Sequence, residues 1–216
     1  MEKKEYHRAN LPHYQQLGQS YFVTWSLKDA IPAKALKDYS EQLASLRLHI
    51  ETSKRDNNSL LFAELNSAYY ILRKKMMKAY EDLLHLNNKT IVDLSSTDNL
   101  KIVIDALIFW QDKKLRNYAI CVMTNHVHWV FEIFEKDNNG KAVYLEDIMK
   151  SIKQFSATEI NKLSGNQGSL CHKESWDTTI RDNRHLYEAI EYTKNNPVKA
   201  GLVTDWRAWE GTVIFD

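Results

Sequence analysis

The chain has 216 residues, 44% hydrophobic and 26% charged, with three prolines, six glycines and a formal net charge of +1. This fits one globular domain with elaborations and excludes a low-complexity or collagen-like chain. Near-neutrality counts against a protein that grips nucleic acid by overall charge, while leaving room for a local basic face. Cys121 and Cys171 form no ligand spacing and read as buried thiols of a reducing compartment. The opening MEKKEYHRANLPH has no apolar core of a signal peptide, and no run approaches about 18 apolar residues. A cytoplasmic protein without a membrane partner is expected.

Residues 1–18 are polar and read as a lead-in. Tyr21 to Leu27, YFVTWSL, is aromatic and β-branched and predicts a strand. Ala33 to Ile50 and Leu60 to Leu86 carry helical apolar spacing, divided by the loop Asp56–Ser59. The second of these holds the basic segment RKKMMK, and Asn87-Asn88 breaks it. Thr97-Asp98 can cap a helix over Asn99–Trp110. Strands follow around Tyr118–Met123 and His126–Phe134, then a turn at Asp137–Gly140. Leu145 to Leu163 is amphipathic, Gly165 to Gly168 is a loop, and Leu170 to Ile180 predicts a strand. A last helix, Asn183 to Lys194, is expected to stop before Pro197. A tail with Trp206 and Trp209 closes the chain.

Strand, helices, strand, strand, helix, strand, helix is the order of an α+β, ferredoxin-like or split βαβ sandwich, an antiparallel sheet backed by helices. One domain spanning 1–216 is expected, with a helical insertion over about 38–90 in the first crossover.

The chemistry concentrates in NYAICVMTNHVHWVFEIF, residues 117–134. Residues two apart on a strand share a face, so His126 and His128 project side by side, about 7 Å apart at the backbone. Two imidazoles so placed can converge on one metal ion. The opposite face, with Val127, Trp129, Phe131 and Ile133, is the core side. An open metal site on the sheet is therefore expected. On the last helix, Tyr192 and Asn196 stand at i and i+4 and share a face. Asn196 is expected at the frayed end before Pro197, its oxygen reaching for the metal. Tyr192 would stand one turn back; a nearby cation makes its phenolate accessible as a nucleophile.

MTNHVHWVFE and EYTKNNPVKAGLV together resemble the two signatures of the single-tyrosine HUH transposases, in particular the REP-associated tyrosine transposases of bacteria. YFVTWSLKDAIP, SIKQFSATEIN and HKESWDTTIRD are similar to further parts of that family, so the resemblance runs from about Gly18 to Val203. Thr124 departs from it, standing where the family usually has proline.

The resemblance implies that His126, His128 and Asn196 bind a divalent ion, Mg²⁺ or Mn²⁺, and that Tyr192 on the C-terminal helix attacks DNA. The product would be a 5′-phosphotyrosine link on single-stranded DNA beside a hairpin such as a repetitive extragenic palindrome. Lys150, Lys153, Arg181, Lys194 and Lys199 would line a phosphate path, and Trp176 would offer a stacking platform. A nucleoid-associated monomer is expected, a homodimer being the alternative. Two other readings remain open: a domesticated, non-catalytic DNA-binding protein of the same fold, and a hydrolase using the same histidines.

Overall fold

A computed structural model describes residues 6–8, 12–14, 17–32, 34–86 and 89–215. The chain divides into two compact units, one of residues 1–28 with 90–216 and one of Asp29–Lys89. The expected break at Asn87-Asn88 lies outside the described residues.

In the first unit, two short strands, β1 (Tyr6–Arg8) and β2 (Pro12–Tyr14), pair antiparallel where a plain lead-in was expected. The main sheet follows: β3 (Ser20–Ser26), β4 (Leu115–Val122), β5 (His126–Ile133), β6 (Trp176–Thr179) and β7 (Thr212–Ile214). Its order is β6-β3-β5-β4-β7 with every pairing antiparallel. Four of these strands give the split βαβ arrangement that the element order predicts. The fifth, β7, comes from the tail and adds an edge beside β4. Its seat depends on Gly211, where a Cβ would stand 2.3 Å from the Val122 carbonyl oxygen. Trp209 donates its indole N–H to that same oxygen at 2.8 Å.

Register decides which residues share a face. Val23 pairs with Trp129 and Trp25 with Val127, while Thr24 between them pairs with His128. The first set is fully buried under two helices, α3 (Thr97–Ile108) and α4 (Leu145–Ser164). These present Leu100, Val103 and Leu107, and Leu145, Ile148, Ile152 and Ile160, to the core. Trp129 stacks on Phe131 and donates to Asn117 Oδ1 at 2.6 Å, so its polar edge is satisfied inside. Gly165 ends α4 in the left-handed conformation, φ 69°, which a side chain would disfavour.

The other face, bearing Phe22, Thr24 and His128, lies beneath α5 (Asn183–Lys199). Asp182 caps α5, accepting from the His185 backbone N–H at 2.8 Å. The expected stop before Pro197 is corrected: the helix continues through it to Lys199. Proline removes the bond its own nitrogen would donate and crowds the carbonyl four residues back. The next rung still forms, Ala200 N–H reaching the Asn196 carbonyl at 2.9 Å, and Leu202 N–H closes the helix end on the Pro197 carbonyl at 2.9 Å. Asn196 is therefore inside the helix and wholly buried, not at a frayed end.

The strand expected over Leu170–Ile180 is shorter, pairing only at Trp176–Thr179 apart from one bridge at Cys171. His172 N–H still reaches the Ser26 carbonyl at 2.8 Å. Between there and Trp176, the carbonyls of His172, Lys173 and Glu174 accept instead from the Lys153 ammonium of α4, at 3.0, 3.2 and 3.2 Å.

The second unit is a helical hairpin, α1 (Lys37–Arg55) and α2 (Ser59–Leu86). The first helix starts and ends about one turn later than its apolar spacing predicts, with the Thr52 and Ser53 hydroxyls donating to the Leu48 and Ile50 carbonyls in its closing turns. Leu43 and Ile50 pack inward, as do Tyr69, Met76, Tyr80 and Leu84. Arg47 joins the two helices, Nη2 donating to Tyr69 Oη at 2.6 Å. Among the described residues, no helix is long and apolar enough to cross a membrane.

Candidate active site

The turn at Thr124-Asn125 joins β4 to β5, closed by Met123 N–H to the His126 carbonyl at 2.8 Å. Leu27 N–H holds the Asn125 carbonyl at 2.9 Å, pinning the corner to the end of β3. His126 and His128 leave this corner on one face, with rings 4.7 Å apart and nearly perpendicular at 87°. Their Nε2 atoms converge to 3.0 Å. Each Nδ1 is held from behind: His126 donates to Asn125 Oδ1 at 2.6 Å, and His128 meets Thr24 Oγ1 at 2.9 Å. The Asn125 oxygen, an acceptor only, fixes the His126 tautomer and leaves its Nε2 lone pair facing inward, while the Thr24 hydroxyl orients the His128 ring. Phe22 lies nearly parallel to His128, 5.8 Å away at 19°.

The expected open site on the sheet is instead enclosed. His126 is 1% and His128 0% exposed, because α5 covers the face. Tyr192 supplies the cover, its half-buried ring edge-on to His128 at 5.5 Å and to Phe22 at 5.6 Å. Lys199, two turns on and exposed, donates from Nζ to Tyr192 Oη at 3.4 Å and lies 4.9 Å from its ring centre. Asn196 shares the Tyr192 face of α5, one turn later.

The imidazole pair fits a divalent ion. An octahedral ion with bonds of about 2.1 Å sets adjacent ligand atoms about 3.0 Å apart, the spacing the two Nε2 atoms already hold. Among the described residues no third His, Cys, Asp or Glu joins them. A further protein ligand must come from another residue type, as the amide of Asn196 would.

No family model matches the sequence. A Haemophilus influenzae protein described as "Putative REP-associated tyrosine transposase" is 26% identical over 98 residues, which is 42% of this chain and 54% of the relative. The chain thus matches about half the length of that relative. A solved structure of a REP-associated tyrosine transposase bound to a REP hairpin superposes with a TM-score of 0.55 at 13% identity, covering 95% of this chain and 82% of that one. The chain resembles the REP-associated tyrosine transposases. Their shared fold is the five-stranded antiparallel sheet with helices described above.

The basic residues expected along a phosphate path do not gather in one place. Lys199 stands at Tyr192, while Arg181 is exposed at the opposite end of α5. Lys194 pairs with Glu191 and lies 5.6 Å from the Trp206 ring. Lys150 and Lys153 belong to α4, on the other side of the sheet. Lys153 is committed to its three carbonyls, and burial pulls its ammonium down to about 8 against the opposing charges of Cys171 and Glu174. Trp176 is only 6% exposed, too buried to stack a base, and serves as packing. Both thiols are free and buried, which pushes Cys121 up to about 12 and Cys171 to about 11.

Thr24 and Asn125 are supporting residues that sequence reasoning missed. Asn125 carried a signal, standing directly before the first histidine. Thr24 carried none, because only strand register places it opposite His128.

Proposed function

We propose that this protein is a metal-dependent DNA strand transferase whose nucleophile is Tyr192, acting on single-stranded DNA beside a hairpin of the repetitive extragenic palindrome kind. The observation that carries the reading is the contact of the Tyr192 ring with His128, whose Nε2 converges with that of His126. The relative described as a transposase and the solved transposase with its REP hairpin support the same substrate class.

His126 and His128 would hold Mg²⁺ or Mn²⁺ through Nε2, with Asn196 as oxygen ligand; when bound, such an ion polarises a non-bridging phosphate oxygen. Asn125 and Thr24 keep the imidazoles oriented, and the enclosing α5 restricts water. Tyr192 Oη forms the new bond to phosphorus as the bond to the 3′ oxygen breaks. The phenol gives up its proton and the departing 3′ oxygen takes one, leaving a 5′-phosphotyrosine and a free 3′-hydroxyl. Lys199 offsets charge gathering on the phosphoryl oxygens, the main source of catalysis in such transfers. The phosphodiester energy is conserved, so a second 3′-hydroxyl can reverse the step.

Tyr192 meets His128 of its own chain, which supports a protein working as a monomer; the proposed DNA substrate would place it in the bacterial cytoplasm, at the nucleoid. The test is incubation with labelled single-stranded hairpin oligonucleotides and Mn²⁺, followed by a denaturing gel. A denaturant-resistant conjugate should form and be lost in Tyr192→Phe and on chelation. Equal behaviour of wild type and Tyr192→Phe ends this reading, and hairpin binding without any conjugate points to a domesticated binding protein.

A further inference from the structure

The hairpin of Asp29–Lys89 takes no part in the chemistry above, yet its longer helix is unevenly charged. From Leu65 to Tyr80, α2 carries Arg73, Lys74, Lys75 and Lys78 and not one acid. Tyr69, Met76 and Tyr80 lie on its buried face, with Tyr69 bonded to Arg47 of α1. At about 100° per residue this sends Ser67, Tyr70, Ile71, Lys74, Lys75 and Lys78 outward, and all six are exposed.

Three other cations of this unit are engaged: Arg47 with Tyr69, Lys37 with Glu41, Lys54 over the Phe62 ring. Among the described residues, no hydrogen bond or ion pair engages Lys74, Lys75 or Lys78. Lys74 and Lys78 stand one turn apart, about 6 Å along the axis. Tyr70, one turn before Lys74, is 63% exposed. Its ring is braced edge-on by Tyr69 at 5.9 Å, itself held by Arg47.

We propose that the outward face of α2 is a binding surface for single-stranded nucleic acid, with Lys74, Lys75 and Lys78 on phosphates and Tyr70 stacked on a base. A charged rail beside an exposed aromatic ring is what sequence-tolerant strand binding requires. A membrane is disfavoured because the outward face sets Ile71 and Tyr70 among lysines, with no continuous apolar stripe there to insert. A second copy is disfavoured because a symmetric contact would oppose three unneutralised lysines to their own images. That the strand is DNA rests on the proposed transferase reading.

The test is fluorescence anisotropy of a labelled mixed-sequence single-stranded DNA with the full chain, as a function of salt. Lys74→Gln/Lys75→Gln/Lys78→Gln keeps helix-forming side chains and should bind at least about tenfold more weakly, with a log–log salt slope shallower by about 2. Tyr70→Ala should weaken binding roughly tenfold with little change in slope. Circular dichroism should match wild type for both. Unchanged affinity and slope in the triple variant overturn the proposal, as does binding to phosphatidylserine vesicles with none to DNA. Conjugate formation at saturating DNA is read alongside. A Tyr192 conjugate with an unaltered triple variant removes the surface alone. Weakened binding in the triple variant, with no conjugate from wild type, removes the transferase reading and leaves the surface standing.

Discussion

Thr24 on β3 holds Nδ1 of His128 on β5 at 2.9 Å, across a strand pair separated by 104 residues of sequence. Nε2 of His128, the nitrogen proposed to hold a metal, is thus aimed by a hydroxyl on a distant strand. Thr24→Val keeps the shape and removes the hydroxyl. Affinity for Mn²⁺, read by calorimetry, should fall about 10–100-fold, the usual consequence of losing such a support. Leaving Nδ1 unsatisfied should also lower stability by roughly 1–3 kcal/mol in urea unfolding. Unchanged Mn²⁺ affinity would show that the imidazole is held by packing against Phe22 alone.

Lys199 is predicted to act in the transfer step rather than in capture of the strand. Its Nζ lies beside Tyr192 Oη, so a phosphate attacked by that oxygen must come within its reach. In Lys199→Met the rate of conjugate formation should drop on the order of 100-fold, the scale of removing one well-placed transition-state donor. Single-strand affinity should change by no more than one phosphate contact. A loss confined to affinity, with the single-turnover rate intact, would reassign Lys199 to binding.

Lys153 predicts a pH dependence of stability. Burial lowers its ammonium to about 8, below the ordinary lysine value, which the unfolded chain retains. Between these two values the unfolded chain binds more protons than the folded one. The contribution of this group to stability is therefore lowest at neutral pH and rises as pH climbs through that window. Urea unfolding at neutral and at mildly alkaline pH should show the rise, and Lys153→Gln should flatten it. A slope that survives the substitution belongs to another group.

Gly211 tests the added edge strand. A methyl group there meets the Val122 carbonyl oxygen, which is backbone and cannot swing aside. Gly211→Ala should destabilise the chain by roughly 2–3 kcal/mol, seen as a lowered melting temperature, with β7 amides next to Thr212 exchanging faster. Wild-type exchange at these amides would mean the neighbouring loop absorbs the shift.

Much of this was legible in the residues. His-Val-His on a strand fixes two imidazoles on one face by period alone, and Tyr192 and Asn196 share a face by helical spacing. The order of elements was enough for the split βαβ sheet. Pro197 misled because it stands within the last turn, where few rungs remain to be lost and the Asn196 carbonyl still accepts from Ala200. The shortened strand before Trp176 was invisible because its carbonyls find a lysine on another helix, some twenty residues away, as partner. Enclosure of the histidines was equally hidden: helical periodicity says which face of α5 is apolar, but not which side of the sheet it covers.

The missing rung at Pro197 falls between the phenol-bearing turn and the ammonium-bearing turn of one helix. Bending resistance in a helix comes from its ladder of amide bonds, and it is weakest where one is absent. A slight flexure there would open or close the gap between Tyr192 Oη and Lys199 Nζ while leaving the tyrosine seated on the sheet. On the proposed transferase reading, that flexure would admit and release a strand end without lifting the whole helix from its bed.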